Sequence, residues 1–160
     1  MKGKVNRISV LIVLLSLAVV LVGVTSVTAS EAQVTSGDLS TYAAGPGRGY
    51  DISGSARMVR TADGRTLVKV EAWGLKPDKT YPVHVHNAPC TVNNGGGHYQ
   101  DVVGGPVDKF NEIWPGFTTD ASGHGNGRAA NDFTARPEAQ AIVIHDSDGS
   151  GARIACADLQ

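Results

Sequence analysis

Short segments rich in β-branched and aromatic residues recur along the sequence, separated by clusters of Gly, Asp, Pro and Asn. No apolar stripe with the 3.6-residue period of an amphipathic helix follows residue 30. We therefore predict an all-β domain. The predicted strands are residues 50–60, 65–72, 81–86, 113–119, 127–133, 141–145 and 153–157.

The spacing of these segments indicates how the strands connect. Ala62-Asp63-Gly64 lies between the first two, and Asp-Gly is a strong signal for a tight hairpin. Strands this short, at this spacing, favour a Greek-key β-sandwich or flattened barrel of about seven to eight antiparallel strands, with an immunoglobulin-like architecture, over an open sheet.

The N-terminal residues are similar to a secretory signal peptide. Basic residues precede an apolar run over residues 8–24, and small residues follow, with Ala29 and Ala32 as candidate cleavage sites. An uncleaved membrane anchor is the alternative, since 17 apolar residues approach the length that spans a bilayer. We predict a secreted, extracytoplasmic protein with a signal peptide (1–29), a flexible lead (30–45) and one domain (46–160).

The charge of the exported part argues against a nucleic-acid partner. Removing residues 1–29 takes away three of the 14 basic side chains and none of the 15 acidic ones, so 11 basic and 15 acidic side chains remain, with a net charge of −4. Nucleic-acid phosphates require clustered Lys and Arg, which the sequence does not show.

The chain has two cysteines, Cys90 and Cys156, both in the exported part. In an oxidising compartment such a pair most simply forms one disulfide. On the chain-entropy view, closing a loop of this length stabilises the fold by up to about 4 kcal/mol. Residues 87–111 lack a strand pattern and begin near Cys90, so we predict a long functional loop tethered by the disulfide.

Four histidines are candidate metal ligands. His84 and His86 are two residues apart in a predicted strand and therefore point to the same face. His145 ends the apolar strand AIVIH, where its imidazole can meet this pair, and His98 lies in the tethered loop. The alternative is an exposed strand face with ordinary histidines.

Imidazole binds copper, zinc, nickel and iron, and four imidazoles without a carboxylate or thiolate favour copper on affinity. A blue-copper site would need a free thiolate and an axial methionine, and a cupin site would need a carboxylate shortly after His86. The sequence supports neither of these.

Several motifs follow one another in a characteristic order. They are WGLKPDKTYPVHVH, Cys90, GGGHYQ, FTTDASGHG, VIHDSDGSGAR and IACADL. In order and character they resemble the copper/zinc superoxide dismutase family, and the resemblance extends over about residues 50–159. A lone His-x-His is a weak signal, whereas the whole series in this order is distinctive. The resemblance implies an eight-stranded Greek-key sandwich.

The resemblance also implies roles for individual residues. Copper ligands would be His84, His86, His98 and His145, with Cys90 and Cys156 forming the intrasubunit disulfide. Arg153 would attract and position the superoxide anion, as an always-charged planar donor can. His98 would be the ligand that leaves copper on reduction and donates a proton, which suits an imidazole with a pKa of about 6.5.

The sequence departs from the family in two places. After His98 the next histidine is His124, in a run of turn formers where we predict no metal role, so zinc is expected to be absent. Only seven residues separate His145 from Arg153, fewer than in the family's electrostatic loop.

Both departures resemble the copper-only branch of the family, which has secreted members. In that branch a carboxylate holds the far nitrogen of the shared histidine, and metal-bound imidazoles generally need such an acceptor. We predict Glu112 as the partner of His98, with Asp108 as the second candidate and a solvated loop acid as the alternative for either. We assign no functional role to Trp73 or Trp114.

The resemblance implies a secreted superoxide dismutase that converts two superoxide anions and two protons to O₂ and H₂O₂, with copper alternating between two oxidation states. A non-enzymatic extracytoplasmic domain for copper storage or delivery is the second hypothesis, and a zinc-bound structural module is the third. The predicted partner is the small anion superoxide. Membrane association is expected only if the N-terminal segment is uncleaved, and the sequence favours no particular oligomeric state.

Overall fold

The computed structural model describes residues 31–43, 47 and 49–160. These residues form an all-β fold, as predicted, with a turn of 3₁₀ helix at Asn93–Gly95. The strands are β1 (Gln33–Thr41), β2 (Ser53–Arg60), β3 (Thr66–Trp73), β4 (Thr80–Tyr81), β5 (Val83–His86), β6 (Phe117–Thr118), β7 (Gly125–Asn131), β8 (Ala141–His145) and β9 (Arg153–Asp158). Within the described residues, no helix has the length and apolar character needed to cross a membrane.

Seven strands form one curled antiparallel sheet in the order β5-β8-β9-β1-β2-β3-β7. The connections from β3 to β5 and from β7 to β8 pass between the two edges of this sheet, as in Greek-key proteins. β4 pairs with β6 in a separate ladder. Since β4 directly precedes β5 and β6 precedes β7, this ladder links the two edges and the sheet curls into a half-barrel.

The core lies on the concave side of the sheet. Burial alternates along β3, so that Thr66, Val68, Val70 and Ala72 face inward, as the period of two predicts. On β5, Val83 and Val85 are fully buried in the core, which leaves the histidines on the opposite face. The other large core side chains include Met58, Tyr81, Tyr99, Ile113, Ile142, Ile144 and Ile154.

The predicted flexible lead was wrong for residues 33–41, which form β1. This strand pairs with β2 over eight residues and with β9 over two. Its sequence, QVTSGDLST, is polar, and only Leu39 is buried. Hydrogen bonds to β2 and β9 therefore hold β1 in the sheet. The strand lacks the apolar face by which a sequence pattern could have revealed it.

Other predicted strands differ from the structure at their ends. The predicted hairpin is present, with Thr61 N–H donating to Arg65 O at 2.8 Å across the turn. The segment 81–86 is divided at Pro82, which has no N–H for a ladder. The segment 113–119 shortens to β6, because Ile113 O accepts instead from Val85 N–H at 3.1 Å.

The disulfide Cys90–Cys156 is present, with the two Cα atoms 5.9 Å apart. It joins the beginning of the loop over residues 87–111 to the centre of β9. Cys90 N–H also donates to Asp158 Oδ1 at 2.7 Å. The loop is thus fixed against the outer face of β8 and β9, the face that carries the histidines.

Candidate metal centre

The side chains of His84, His86, His98 and His145 converge on one point. Each offers one nitrogen, and the four nitrogens lie within 4.8 Å of one another. The closest pair resolved as a contact is His86 Nε2 and His145 Nε2, at 3.3 Å. His86 and His145 are buried, while His84 and His98 are half-buried. The structure therefore brings together all four histidines that the sequence analysis groups.

Strand pairing positions three of these imidazoles. β5 lies beside β8, with His84 opposite Val143 and His86 opposite Ala141. His145 is the last residue of β8, next to a register shift that follows Ile144. Because side chains two residues apart share a face, all three rings stand on the same side of the sheet.

Backbone hydrogen bonds bring the fourth imidazole into place. The loop passes along the free edge of β5, where His98 forms an isolated antiparallel bridge with His86. Asn87 N–H donates to Gly97 O at 2.9 Å, and Tyr99 N–H donates to Val85 O at 2.8 Å. His98 thus lies beside the strand histidines as if on an added strand.

Main-chain carbonyls fix the orientation of the two buried rings. His86 Nδ1 lies 3.3 Å from Gly96 O, and His145 Nδ1 lies 2.8 Å from Gly151 O. A carbonyl oxygen can only accept, so each Nδ1 carries the hydrogen and each Nε2 keeps a lone pair. Metal-binding histidines commonly have this arrangement.

His84 has the opposite orientation. Its Nδ1 is buried and has no hydrogen-bond partner. A buried polar atom without a partner is costly, and a metal ion would satisfy it. Nδ1 of His84 and Nε2 of the other three histidines form a donor set of four imidazole nitrogens. This set fits a copper or zinc ion.

Glu112 holds the fourth ring and is almost completely buried, with 1% of its surface exposed. Its Oε2 accepts from His98 Nδ1 at 2.7 Å and from Trp114 Nε1 at 2.8 Å. Its Oε1 accepts from Gln100 Nε2 at 3.2 Å. Three donors thus surround a buried carboxylate, which compensates the cost of burying it and leaves His98 Nε2 free to face the centre.

The structure places Asp108 away from His98, so the second candidate partner is not in contact with that ring. Asp108 Oδ1 instead accepts from the N–H groups of Phe110 and Asn111, at 2.9 and 3.0 Å. Asp108 O accepts from Glu112 N–H at 2.8 Å. Asp108 therefore orders the turn that precedes Glu112.

Trp114 is a site residue that the sequence analysis missed. It shares Glu112 with His98, and its ring centroid lies 5.6 Å from that of His84. The spacing Glu-x-Trp puts both side chains on one face of an extended chain, so this pattern could have revealed the contact. Trp73, by contrast, stacks on His124 at 4.9 Å, outside the centre.

Three of the four imidazoles are held in the neutral form. Burial, with the electrostatic influence of the neighbouring His98 ring, lowers the pKa of His84 and of His86 from 6.5 to about 3. Burial also lowers the pKa of His145. Neutral imidazoles have the lone pairs that metal ions require, so the folded chain is prepared for a cation.

These pKa shifts predict how the stability of the metal-free protein depends on pH. Unfolded histidines take up protons near pH 6.5, whereas folded His84 and His86 stay neutral down to about pH 3. The unfolded state therefore binds more protons in this window, and the free energy of unfolding falls as pH decreases.

The slope is at most about 1.4 kcal/mol per pH unit for each histidine, and less for the half-buried His84. Urea unfolding of chelator-treated protein between about pH 6.5 and about pH 4 measures it. His84→Gln/His86→Gln should show a shallower dependence than the parent chain. Equal slopes for the two proteins would contradict this assignment.

Arg153 lies at the start of β9, opposite His145 in the ladder. Its Nη1 donates to Asn93 O at 2.8 Å and to Asn94 O at 3.0 Å. Both asparagines have positive φ, 48° and 53°, and this left-handed turn points their carbonyls toward the guanidinium. Arg153 is close enough that its charge contributes to lowering the pKa of His86 and His145. A fixed cation thus stands beside His86 and His145 of the centre.

The short link between His145 and Arg153 is closed by a hydrogen bond from Asp146 N–H to Ala152 O at 2.7 Å. Asp146 also accepts from the Tyr50 hydroxyl at 2.9 Å. Within the described part of the chain, the four histidines are the single group of three or more His, Cys, Asp or Glu side chains arranged to hold a metal ion.

The Glu112 contact leads to a prediction for Glu112→Gln. A neutral amide is a poorer acceptor for His98 Nδ1–H, and its NH₂ group would face another donor in a buried site. We expect the affinity of the centre for a metal ion to fall about 10- to 100-fold, as is typical when such a supporting carboxylate is lost. Chelator competition measures this affinity.

Asp101→Asn is the matched control for Glu112→Gln. Asp101 lies in the same loop but faces Arg136, with Oδ1 and Nη1 3.6 Å apart. Its replacement should leave the metal affinity unchanged. Equal affinities for Glu112→Gln and the parent chain would show that Glu112 does not support His98.

The structure resembles that of a point mutant of an SOD-like protein from Bacillus subtilis, with a TM-score of 0.55. The match covers 78% of this chain and 96% of the other, at 18% sequence identity. No protein-family model and no curated protein matches the sequence. At this identity the likeness shows an SOD-like fold.

Proposed function

We propose that the four-histidine centre binds copper and that the protein is an extracytoplasmic superoxide dismutase. The observation that carries this proposal is the convergence of four imidazole lone pairs beside Arg153. The donor set supports metal binding, and the fixed cation supports a small anionic substrate. A storage or delivery domain would need the histidines but would have no use for the arginine.

The donor set favours copper over zinc. Four neutral nitrogens without thiolate or carboxylate suit both ions, but copper binds more tightly to a given nitrogen site. Glu112 occupies the outer nitrogen of His98, the position at which the related two-metal enzymes share this ring with zinc. We therefore propose a centre with one copper and no zinc.

Copper, when bound, would supply the one-electron exchange that dismutation requires. Arg153 attracts superoxide, and its guanidinium is held by the carbonyls of Asn93 and Asn94, so a docked anion meets a cation of fixed position. The domain carries a net charge of −4 beyond residue 29, which means that this attraction acts locally.

His98 is the residue best placed to handle a proton. Its side chain is 29% exposed, whereas His86 is completely buried. Glu112 keeps Nδ1–H in place, so any proton that His98 gains or gives up moves at Nε2, the atom that faces the centre. We propose that Nε2 of His98 delivers a proton to the reduced substrate.

The proposed location follows from the sequence of the first 29 residues, which lie outside the described part of the chain. Their basic start and apolar run favour export. The disulfide is consistent with an oxidising compartment. The proposed substrate is therefore superoxide outside the cytoplasm.

Elemental analysis and a superoxide assay test the proposal together. The purified protein should take up one copper per chain and no zinc, and it should suppress cytochrome c reduction by superoxide. Copper uptake without activity would favour the storage or delivery domain. Stoichiometric zinc would contradict the copper-only centre.

Replacing Arg153 with alanine should lower the dismutation rate at least about tenfold, because local steering of an anion is lost. Copper content should stay the same, since Arg153 is not a ligand. Arg128→Ala is the control, because Arg128 is exposed on β7, which does not contribute to the centre. Equal rates for the Arg153 variant and the parent chain would remove Arg153 from the proposed mechanism.

A further inference from the structure

Residues 101–111, here called the apolar loop, expose an unusual amount of hydrocarbon. Its exposed fractions are 63% at Val102, 82% at Val103, 70% at Val107 and 78% at Phe110. Single exposed apolar residues are ordinary, but four within nine positions form a patch of the kind that marks an interaction site. The copper centre does not use these side chains.

Polar groups hold the apolar loop from within. The Asn111 side chain accepts from Val102 N–H at 2.7 Å and donates to Val102 O and Pro106 O at 3.1 and 3.0 Å. Gly105 N–H donates to Val102 O at 2.9 Å. Several backbone groups of the loop are thus paired within it, while its valines and phenylalanine face water. These bonds fix a loop with its polar side inward.

The apolar loop lies at the end of the half-barrel where β1 begins. Arg136 donates from its guanidinium to Gln100 O and Asp101 O at the base of the loop. The same arginine lines two surface depressions, one with Gln33 and the other with Val103. Gln33, the first residue of β1, and the tip of the loop are therefore on neighbouring surfaces.

The apolar run over residues 8–24 lies close in sequence to β1. Eight residues separate the apolar run 8–24 from Gln33, and they span at most about 28 Å when fully extended. Where that run is retained as an anchor, it holds this end of the barrel next to the bilayer. Where it is cleaved, the apolar loop is still available to contact lipid.

The exposed apolar area of the loop distinguishes between two possible binding partners, a lipid bilayer and a second copy of the chain. Side chains like these four, exposed to this extent, offer apolar area on the order of 300 Å². A stable protein interface needs about 800 Å² on each partner. A bilayer has no such minimum, because binding grows with whatever apolar area enters the interface.

We propose that the apolar loop docks the protein onto the surface of a lipid bilayer, with Val103, Val107 and Phe110 entering the headgroup boundary. Lys109 supports this position, since its Nζ lies 5.3 Å from the centroid of the Phe110 ring. A long basic side chain can lie along the inserted apolar surface while its ammonium group stays among lipid phosphates. The docking does not depend on copper.

Tryptophan fluorescence with brominated phosphatidylcholine vesicles tests this docking. Bromine on the acyl chains quenches a tryptophan only on contact. The probe variant is Val107→Trp, at a highly exposed position that tolerates the larger ring. The matched control is Ala121→Trp, exposed in the turn between β6 and β7, near Trp73 and away from the apolar loop. Both variants are made in the full chain and expressed in a host that exports the protein. They are purified with the N-terminus that export produces, whether cleaved or intact.

The added emission of Val107→Trp should be mostly lost on brominated vesicles, and that of Ala121→Trp should persist. No quenching of Val107→Trp, or equal quenching in both variants, would overturn the docking. Sedimentation velocity in the absence of lipid tests whether a second copy of the chain binds the apolar loop instead. A dimer that disappears in Val103→Ser/Phe110→Ser would show that a second copy covers the loop, and would likewise overturn it.

Discussion

Replacing His86 with alanine is expected to abolish stoichiometric copper binding and, with it, superoxide dismutation. His86 is fully buried, and its Nε2 is 3.3 Å from that of His145 at the middle of the centre. Loss of a supporting carboxylate typically costs 10- to 100-fold in metal affinity, so loss of a ligand should cost more than about 100-fold.

Chelator competition with the parent chain and with His86→Ala measures this loss. His124→Ala is the matched control, since His124 stacks on Trp73 outside the centre and its loss should leave copper affinity unchanged. Far-ultraviolet circular dichroism checks that both variants keep the fold. Copper affinity of His86→Ala within tenfold of the parent would contradict the assignment of the centre.

Removing the disulfide has the second large expected effect. Cys90→Ser/Cys156→Ala should lower the free energy of unfolding by about 2 to 5 kcal/mol, because the bond closes a loop of 66 residues in the unfolded chain. Alanine is chosen at position 156 because Cys156 is buried on β9 and a serine hydroxyl there would lack a partner.

The disulfide should also matter for the centre. Cys90 ties down the segment whose Asn93 and Asn94 carbonyls hold Arg153. In the variant without the bond, dismutation should decrease while the four histidines still bind copper. Urea unfolding gives the stability, and treating the parent chain with a reductant should reproduce the variant. If the variant's free energy of unfolding falls by less than about 1 kcal/mol, the stabilising role of the disulfide is contradicted.

Local sequence patterns predicted the parts of the structure that depend on local geometry. The alternation in YPVHVH put two imidazoles on one face of β5, and the apolar run AIVIH gave β8 with the bounds that the structure has. Both follow from the period of two along a strand, which needs no knowledge of neighbours. Glu112 was selected for the same reason that the structure uses it, namely that a ligating imidazole needs an acceptor.

Features that depend on tertiary contacts were harder to predict. The polar strand β1 exists because β2 and β9 offer it hydrogen bonds on both sides. The acceptors for His86 and His145 are the main-chain carbonyls of Gly96 and Gly151, and any residue type has a carbonyl. Their directions depend on turns with positive φ. The sequence predicted the four candidate ligands and the acceptor of His98, but not the main-chain acceptors that orient His86 and His145.

In the function that we propose, the four histidines and Arg153 form a copper centre that turns superoxide over. Pulse radiolysis of protein loaded with one copper per chain tests it most directly, with superoxide in large excess over the protein. We predict that each copper removes many equivalents of superoxide and that the rate decreases as salt screens Arg153. Removal of one equivalent per copper or fewer would contradict the claim and leave a copper-binding domain without turnover.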